Sequence, residues 1–313
     1  MPSLFSRLNR LTGLPWRRNS PRVSGNVGNL QQQEEVIGTF LRRPSPSALG
    51  KIGTSELRVL EFGERLFQLP WPQSASWRRP AERLHNTGGL FPVRKDIFFR
   101  FAEEYRVALG QMDLVALWQD RGTYESILEA RAADRWAPSA ARTGFYFIRF
   151  IKPYAQWLED LARLRWLVVH PFEKTIRAQL PHIRDLGVFS EISFLDLKTR
   201  IEDTSFLAPP QFSYMIPPRH RDWFEALDDL KAQMERETFD IALVGAGAWS
   251  LPLVAHAKKI GKKGIHMGGA LQLLFGIKGG RFDSAEIYND AWIRPLPDDI
   301  PNDFKKMEHG AYW

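Results

Sequence analysis

The 313-residue sequence contains no cysteine. That absence removes disulfides and thiolate metal sites from consideration, and it suits a cytoplasmic protein. Histidine is also sparse, seven in all and scattered. None falls in an H-E-x-x-H spacing, so zinc-enzyme chemistry is not expected. No apolar run approaches the roughly 18 residues that a membrane span needs, and no secretory signal is visible. Acidic residues are missing from one region in particular: residues 1 to 22 carry Arg7, Arg10, Arg17, Arg18 and Arg22 with no Asp or Glu. Five of the seven excess positive charges therefore sit in one arm, and the body is close to balanced. No basic stripe interleaved with aromatics is present, so nucleic acid is not an expected partner.

The arm also places Leu4, Phe5, Leu8 and Leu11 near one helical face. Such a segment reads either as a disordered tail or as an amphipathic anchor for peripheral contact with an anionic membrane. The polar stretch that follows, NSPRVSGNVGNLQQQEE, has no periodicity and reads as linker. These features set the expected boundaries: arm and linker over 1–45, and one folded domain over 46–313.

Within the domain, helical and strand patterns alternate. RKDIFFRFAEEYRVALG has helical periodicity and ends at Gly110, and DLVALW reads as a buried strand. YESILEARAADRW is helical, as is GFYFIRFIKPYAQWLEDLARL with a break at Pro153. RWLVVHP is a strand entering a loop, FEKTIRAQL a helix, and HRDWFEALDDLKAQMERE a strongly amphipathic helix. Alternation of this kind predicts an α/β fold, a Rossmann-like and mainly parallel sheet flanked by helices.

The stretch FDIALVGAGAWSLPLVAHAKKIGKKGIHMGG carries the strongest local signal. An apolar strand meets the Gly245-x-Gly247 turn, a helix follows, and a second strand ends in Gly268-Gly269. A glycine turn before a helix N-terminus can present backbone N–H groups to a phosphate, or it can simply allow close packing of strand and helix. A dinucleotide fingerprint would need a third glycine where Ser250 stands, and an acid about 20 residues on. The second strand ends without a carboxylate, so a nicotinamide dinucleotide is not the expected ligand.

The segment FDIALVGAGAWSLPLVAHAKKIGKKGIHMGGALQLLFGIKGGRF, with YNDAWIRP and EHGAYW, resembles a group of bacterial proteins having the GT-D glycosyltransferase fold. GKIGTSEL, NTGGLFP, LVVHPFEKTIRAQ and DWFEAL extend the resemblance to about residue 46. It implies transfer of a sugar from a nucleotide-sugar donor, UDP-linked by expectation, to a saccharide or lipid-linked acceptor in surface polysaccharide assembly. It also implies an Asp-x-Glu motif that helps hold Mg²⁺ or Mn²⁺ and the donor diphosphate. In this sequence the matching segment is IGTSE, where Glu56 keeps the acid and Thr54 replaces the Asp. Glu56 is thus the candidate metal ligand or general base, at a position poorer in the oxygen ligands that a hard cation prefers.

The other candidates follow from what diphosphate departure demands, namely positive charge or aimed N–H dipoles, with a base for the acceptor hydroxyl. Lys51, Lys278 and Arg281 flank glycine-rich turns, and the guanidinium fork of Arg281 matches phosphate oxygens. His170 and His266 end predicted strands, where open α/β sheets place ligands. Asn86 and Gln272 are candidates to orient hydroxyls. Together with Gly245, Gly247, Gly268 and Gly269 they make up the expected donor site, with Glu56, His266 and Arg281 in the catalytic roles. Two further classes stay open: a non-catalytic nucleotide-sugar-binding relative, and another Rossmann-like nucleotide-dependent enzyme.

Overall fold

The computed structural model describes residues 30–68, 77–117, 124–144, 156–189, 192–193, 197 and 200–313. The arginine-bearing arm lies outside these residues. So does the expected break at Pro153.

Short aliphatic runs form the sheet. Strands β1 (Ser47–Lys51), β2 (Leu114–Leu117), β3 (Ala141–Gly144), β4 (Trp166–Val169), β5 (Ser205–Leu207), β6 (Ile241–Val244) and β7 (Lys263–His266) build one seven-stranded sheet in the order β3-β2-β1-β7-β6-β4-β5. Every pairing is parallel. Strands buried on both faces need no polar alternation, which is why Leu114–Leu117, Trp166–Val169 and Ile241–Val244 read as continuous apolar runs. The protein is an α/β structure with a Rossmann-like parallel sheet flanked by helices, as the alternating pattern predicts.

Successive residues of the central strands feed two separate cores. Ala48, Val115, Val169, Ala242 and Val244 face one layer. It contains α2 (Thr54–Gln68), α3 (Arg78–Gly88), α4 (Lys95–Gly110), α5 (Tyr124–Trp136), α8 (Trp223–Arg236) and α9 (Ser250–Lys259). Leu49, Leu114, Val168, Leu243 and Ile265 face the other, with α1 (Leu30–Arg42), α6 (Gln156–Ala162), α7 (Glu173–Gln179), the short α10 (Leu271–Leu274) and the segment through Trp313. Asp222 starts α8 by accepting hydrogen bonds from the N–H groups of Phe224 and Glu225. Among the described residues, no helix is long and apolar enough to cross a membrane.

Two local expectations are corrected. Helix α1 begins at Leu30, inside the stretch read as linker and ahead of the boundary placed near residue 45. Its polar face dominates the composition, but Gln33, Ile37, Phe40 and Leu41 recur at helical spacing and are buried, with Trp157, Leu158 and Leu161 of α6 in the same core. In addition, Gly144 closes strand β3 rather than opening a helix.

The carboxyl edge of the sheet is where the candidates gather. Val169, Val244 and His266 lie level across β4, β6 and β7. After β4 the chain moves outward to β5, and after β6 it moves inward to β7. Opposed connections of this kind open a crevice at the strand ends, the usual ligand position in such sheets.

Candidate functional site

Lys51 is the last residue of β1 and Glu56 lies in the first turn of α2. Both are buried, 8% and 6% exposed. Gly50 lets this happen, because a β-carbon there would stand 2.6 Å from Leu251 Cδ1 and Met112 Sδ. Helix α9 can therefore press onto the strand. The Lys51 side chain runs across the turn after β7, the neighbouring strand: a β-carbon on Gly268 would meet Lys51 Nζ at 2.6 Å and His266 Nε2 at 3.9 Å. Gly268 itself is left-handed, with φ of 57°. The turn after β7 is thus shaped to receive an ammonium group.

His266 is fixed by a 3.0 Å hydrogen bond from Nδ1 to the carbonyl of Lys51. Since a carbonyl only accepts, Nδ1 carries the proton and Nε2 is left as an acceptor on the Lys51 side. Burial and the Lys51 charge hold the imidazole well below its usual pKa, so it is neutral. The Tyr105 hydroxyl also reaches the Lys51 carbonyl, at 3.4 Å.

Burial lowers the Lys51 ammonium to about 8, against the attraction of Glu56, and the Arg281 charge adds to the lowering. Burial likewise raises the Glu56 carboxyl, and this outweighs the pull of its own backbone N–H and of Lys51, while Glu308 raises it further. The result is a lysine and a carboxylic acid that can both exchange protons nearer neutrality than in water. Glu129, only 1% exposed, acts electrostatically on both Lys51 and Tyr105. The sequence did not single it out, because an acid inside the amphipathic pattern of α5 looks like any surface glutamate.

Arg281 stands at the mouth, exposed, with its guanidinium 4.6 Å from the ring centre of Tyr312. A β-carbon on Gly269 would come within 3.2 Å of both Arg281 Nη1 and Tyr312 Cε1. Lys278 lies apart, 5.8 Å from the ring of Tyr288.

The Gly245-x-Gly247 turn is used mainly for packing. A β-carbon on Gly245 would strike the Gly268 carbonyl at 2.7 Å and His170 Cδ2 at 2.9 Å. One on Gly247 would meet Gln211 Nε2 at 2.4 Å and Gly88 Cα at 3.0 Å. Two N–H groups of the turn are already committed, Gly245 to the Val169 carbonyl and Ala246 to Ser250 Oγ. At the second turn Gly268 is buried under Lys51 and Gly269 is half-buried beside Arg281.

His170 adjoins this cluster but is structural in its bonding. Its Nδ1 accepts from the Phe172 N–H at 3.0 Å, and burial holds its pKa at about 3. Gln272, fully buried, spends its amide N–H groups on the carbonyls of Ile277, Lys278 and Tyr312, so it braces the chain rather than facing the crevice. Asn86 sits on the exposed side of α3, whose last residue, Gly88, lies against the Gly247 turn.

A divalent cation does not fit the donor set. Glu56 is a single buried carboxyl whose pKa is raised chiefly by burial, Lys51 is beside it, and Thr54 contributes at most a hydroxyl. Among the described residues no three His, Cys, Asp or Glu side chains are grouped as metal ligands. Comparison with protein-family models, curated proteins and solved structures finds no match.

Proposed function

We propose that this protein is a glycosyltransferase, taking a sugar from a nucleotide-sugar donor to a saccharide or lipid-linked acceptor. One observation above all supports the reading: Lys51 lies over the Gly268 turn at the carboxyl edge of a parallel sheet, with Arg281 at the mouth. Departure of a nucleoside diphosphate leaves negative charge on its terminal phosphate. Two pre-placed cations stabilise that charge without the metal that the donor set does not favour. In the proposed step the acceptor hydroxyl oxygen bonds to the anomeric carbon and the bond from that carbon to the diphosphate oxygen breaks. The diphosphate leaves with the electron pair, and the hydroxyl proton passes to Glu56. The location expected on this reading is cytoplasmic, with the basic arm in contact with anionic membrane.

The binding-only reading has its own support in Thr54, which stands where the resemblance implies an Asp and leaves Glu56 as a lone carboxyl. The deciding experiment is thermal unfolding with UDP, UDP-sugars and NAD, followed by assay for donor hydrolysis or transfer. Ligand at 100 times its dissociation constant should add about 2.7 kcal/mol of stability. Stabilisation by NAD with none by UDP or UDP-sugars overturns the proposal. Stabilisation by UDP-sugars without turnover selects the binding-only protein.

A further inference from the structure

The segment from Met307 to Trp313 is held under strain against the mouth of the site. Glu308, His309 and Gly310 are consecutive left-handed residues, with φ of 46°, 57° and 79°. Two of them are not glycine. Such a run persists only where the surroundings over-determine it. Here they do: the Arg281 N–H donates to the Ala311 carbonyl at 2.9 Å, the Gly280 N–H to the Trp313 carbonyl at 3.0 Å, and Gln272 Nε2 to the Tyr312 carbonyl at 3.3 Å. The Trp313 indole N–H is anchored on the Asp299 carbonyl at 3.2 Å.

What this anchoring achieves is the placement of one ring. Tyr312 lies under the Arg281 guanidinium at 4.6 Å, and both groups press on Gly269, where a β-carbon would come within 3.2 Å of each. Asp283, two residues along the chain from Arg281, is taken by Arg294 at 2.8 and 2.9 Å. Among the described residues no carboxylate lies within ion-pair distance of Arg281. The Tyr312 ring, with its hydroxyl accepting from Arg281, fixes the orientation of the guanidinium without neutralising its charge, which a carboxylate partner would do.

We propose that Tyr312 is a positioning residue for Arg281, holding the un-neutralised guanidinium over the Gly268-Gly269 turn to meet one phosphate of a nucleoside diphosphate whose other phosphate meets Lys51. This rests on the nucleotide reading of the site given above. It adds a specific dependence, that anion affinity runs through Tyr312 only by way of Arg281.

The test is calorimetric titration of the full chain with UDP. Arg281→Ala should weaken binding about tenfold or more, as loss of a charge-assisted fork does. Tyr312→Leu should weaken it roughly three- to tenfold, and Tyr312→Phe, which keeps the ring, by about twofold or less. Tyr312→Leu should cost nothing further in the Arg281→Ala background, whereas a general structural role would add its own loss there. If Tyr312→Leu does not fold, Gly269→Ala probes the same contact and should show the same dependence on Arg281. Wild-type affinity in Tyr312→Leu or Gly269→Ala, or equal losses with and without Arg281, overturns the inference alone. So does UDP binding that Arg281→Ala leaves unchanged. Absence of UDP binding by the wild type overturns both this inference and the nucleotide reading.

Discussion

The ammonium nitrogen of Lys51 lies 2.6 Å from the place that a β-carbon on Gly268 would occupy. Residue 268 is thus glycine for two reasons, a left-handed φ of 57° and a cation lying across it. Gly268→Ala should cost about 1–2 kcal/mol from the backbone conformation. The clash itself falls on the far end of a flexible side chain, which can swing away. The fold should therefore survive while UDP affinity drops on the order of tenfold, because Lys51 no longer points at the turn. Gly245→Ala should behave in the opposite way. Its β-carbon meets the Gly268 carbonyl at 2.7 Å, so stability should suffer more. Unfolding midpoints and UDP titrations on both variants check the contrast; an unchanged UDP affinity in Gly268→Ala would remove Lys51 from the anion site.

The lowered Lys51 ammonium predicts two pH effects of opposite sign. Lys51 is protonated below its folded pKa of about 8, so UDP affinity should fall as pH rises through that value. For stability the sign reverses. Between about 8 and 10.5 the unfolded chain binds the proton that the folded chain has released, so this group makes stability rise with pH across that window. Lys51→Arg keeps its charge throughout and should bind UDP with little pH dependence from 7 to 9.5. UDP titrations at pH 7, 8 and 9 for both proteins decide the matter, and parallel profiles would show that Lys51 is not the titrating cation.

His170 should govern part of the acid lability. Burial holds its folded pKa at about 3, against the usual 6.5 of a histidine in water. Between these values the unfolded chain takes up a proton that the native chain refuses, so the stability contributed by neutral His170 is complete above 6.5 and is lost as pH falls. At pH 5 the loss amounts to about 2 kcal/mol from this residue. His170→Asn should be less stable at pH 7, since the hydrogen bond from the Phe172 N–H is disturbed, yet show a flatter decline between pH 6.5 and 4. Denaturant unfolding at four pH values measures it. A decline as steep as in the wild type would assign the acid sensitivity elsewhere.

What the sequence could and could not disclose follows from the physics of each element. Buried parallel strands advertise themselves, and the apolar runs Leu114–Leu117, Trp166–Val169 and Ile241–Val244 all lie in the sheet. Strand β1 does not, because Ser47, Gly50 and Lys51 are set there by crowding from α9 and by the site, not by strand propensity. Helix α1 is masked by its QQQEE face, although three of its apolar residues are in the core. The site was partly legible. Lys51, Glu56, His266, Gly268 and Arg281 come together at one edge, as their places beside strand ends and glycine turns suggest. Tyr312 and Glu129 were not legible, since their contacts join segments far apart in the chain. Gln272 was legible only as a polar residue near a turn; its bracing role depends on three carbonyls that the fold brings together.

Glu56 and Thr54 together separate the catalytic reading from the binding-only one. Glu56 is buried, its carboxyl raised chiefly by burial, in the first turn of α2 and within the field of Lys51. If it takes the acceptor proton, Glu56→Gln should keep the fold and most of the UDP affinity, because the amide is nearly isosteric. Transfer should then fall by a factor on the order of 10² to 10⁴, the worth of a positioned proton-transfer group. Thr54→Asp places a second anionic oxygen near the first, so Mg²⁺ or Mn²⁺ should stabilise this variant more than the wild type. A wild type without transfer activity that gains metal-dependent transfer on Thr54→Asp identifies a degenerate, binding-only protein. An active wild type that is indifferent to Glu56→Gln excludes Glu56 as the base. The next acceptor to test would then be His266, whose Nε2 is left unprotonated by the bond from Nδ1 to the Lys51 carbonyl.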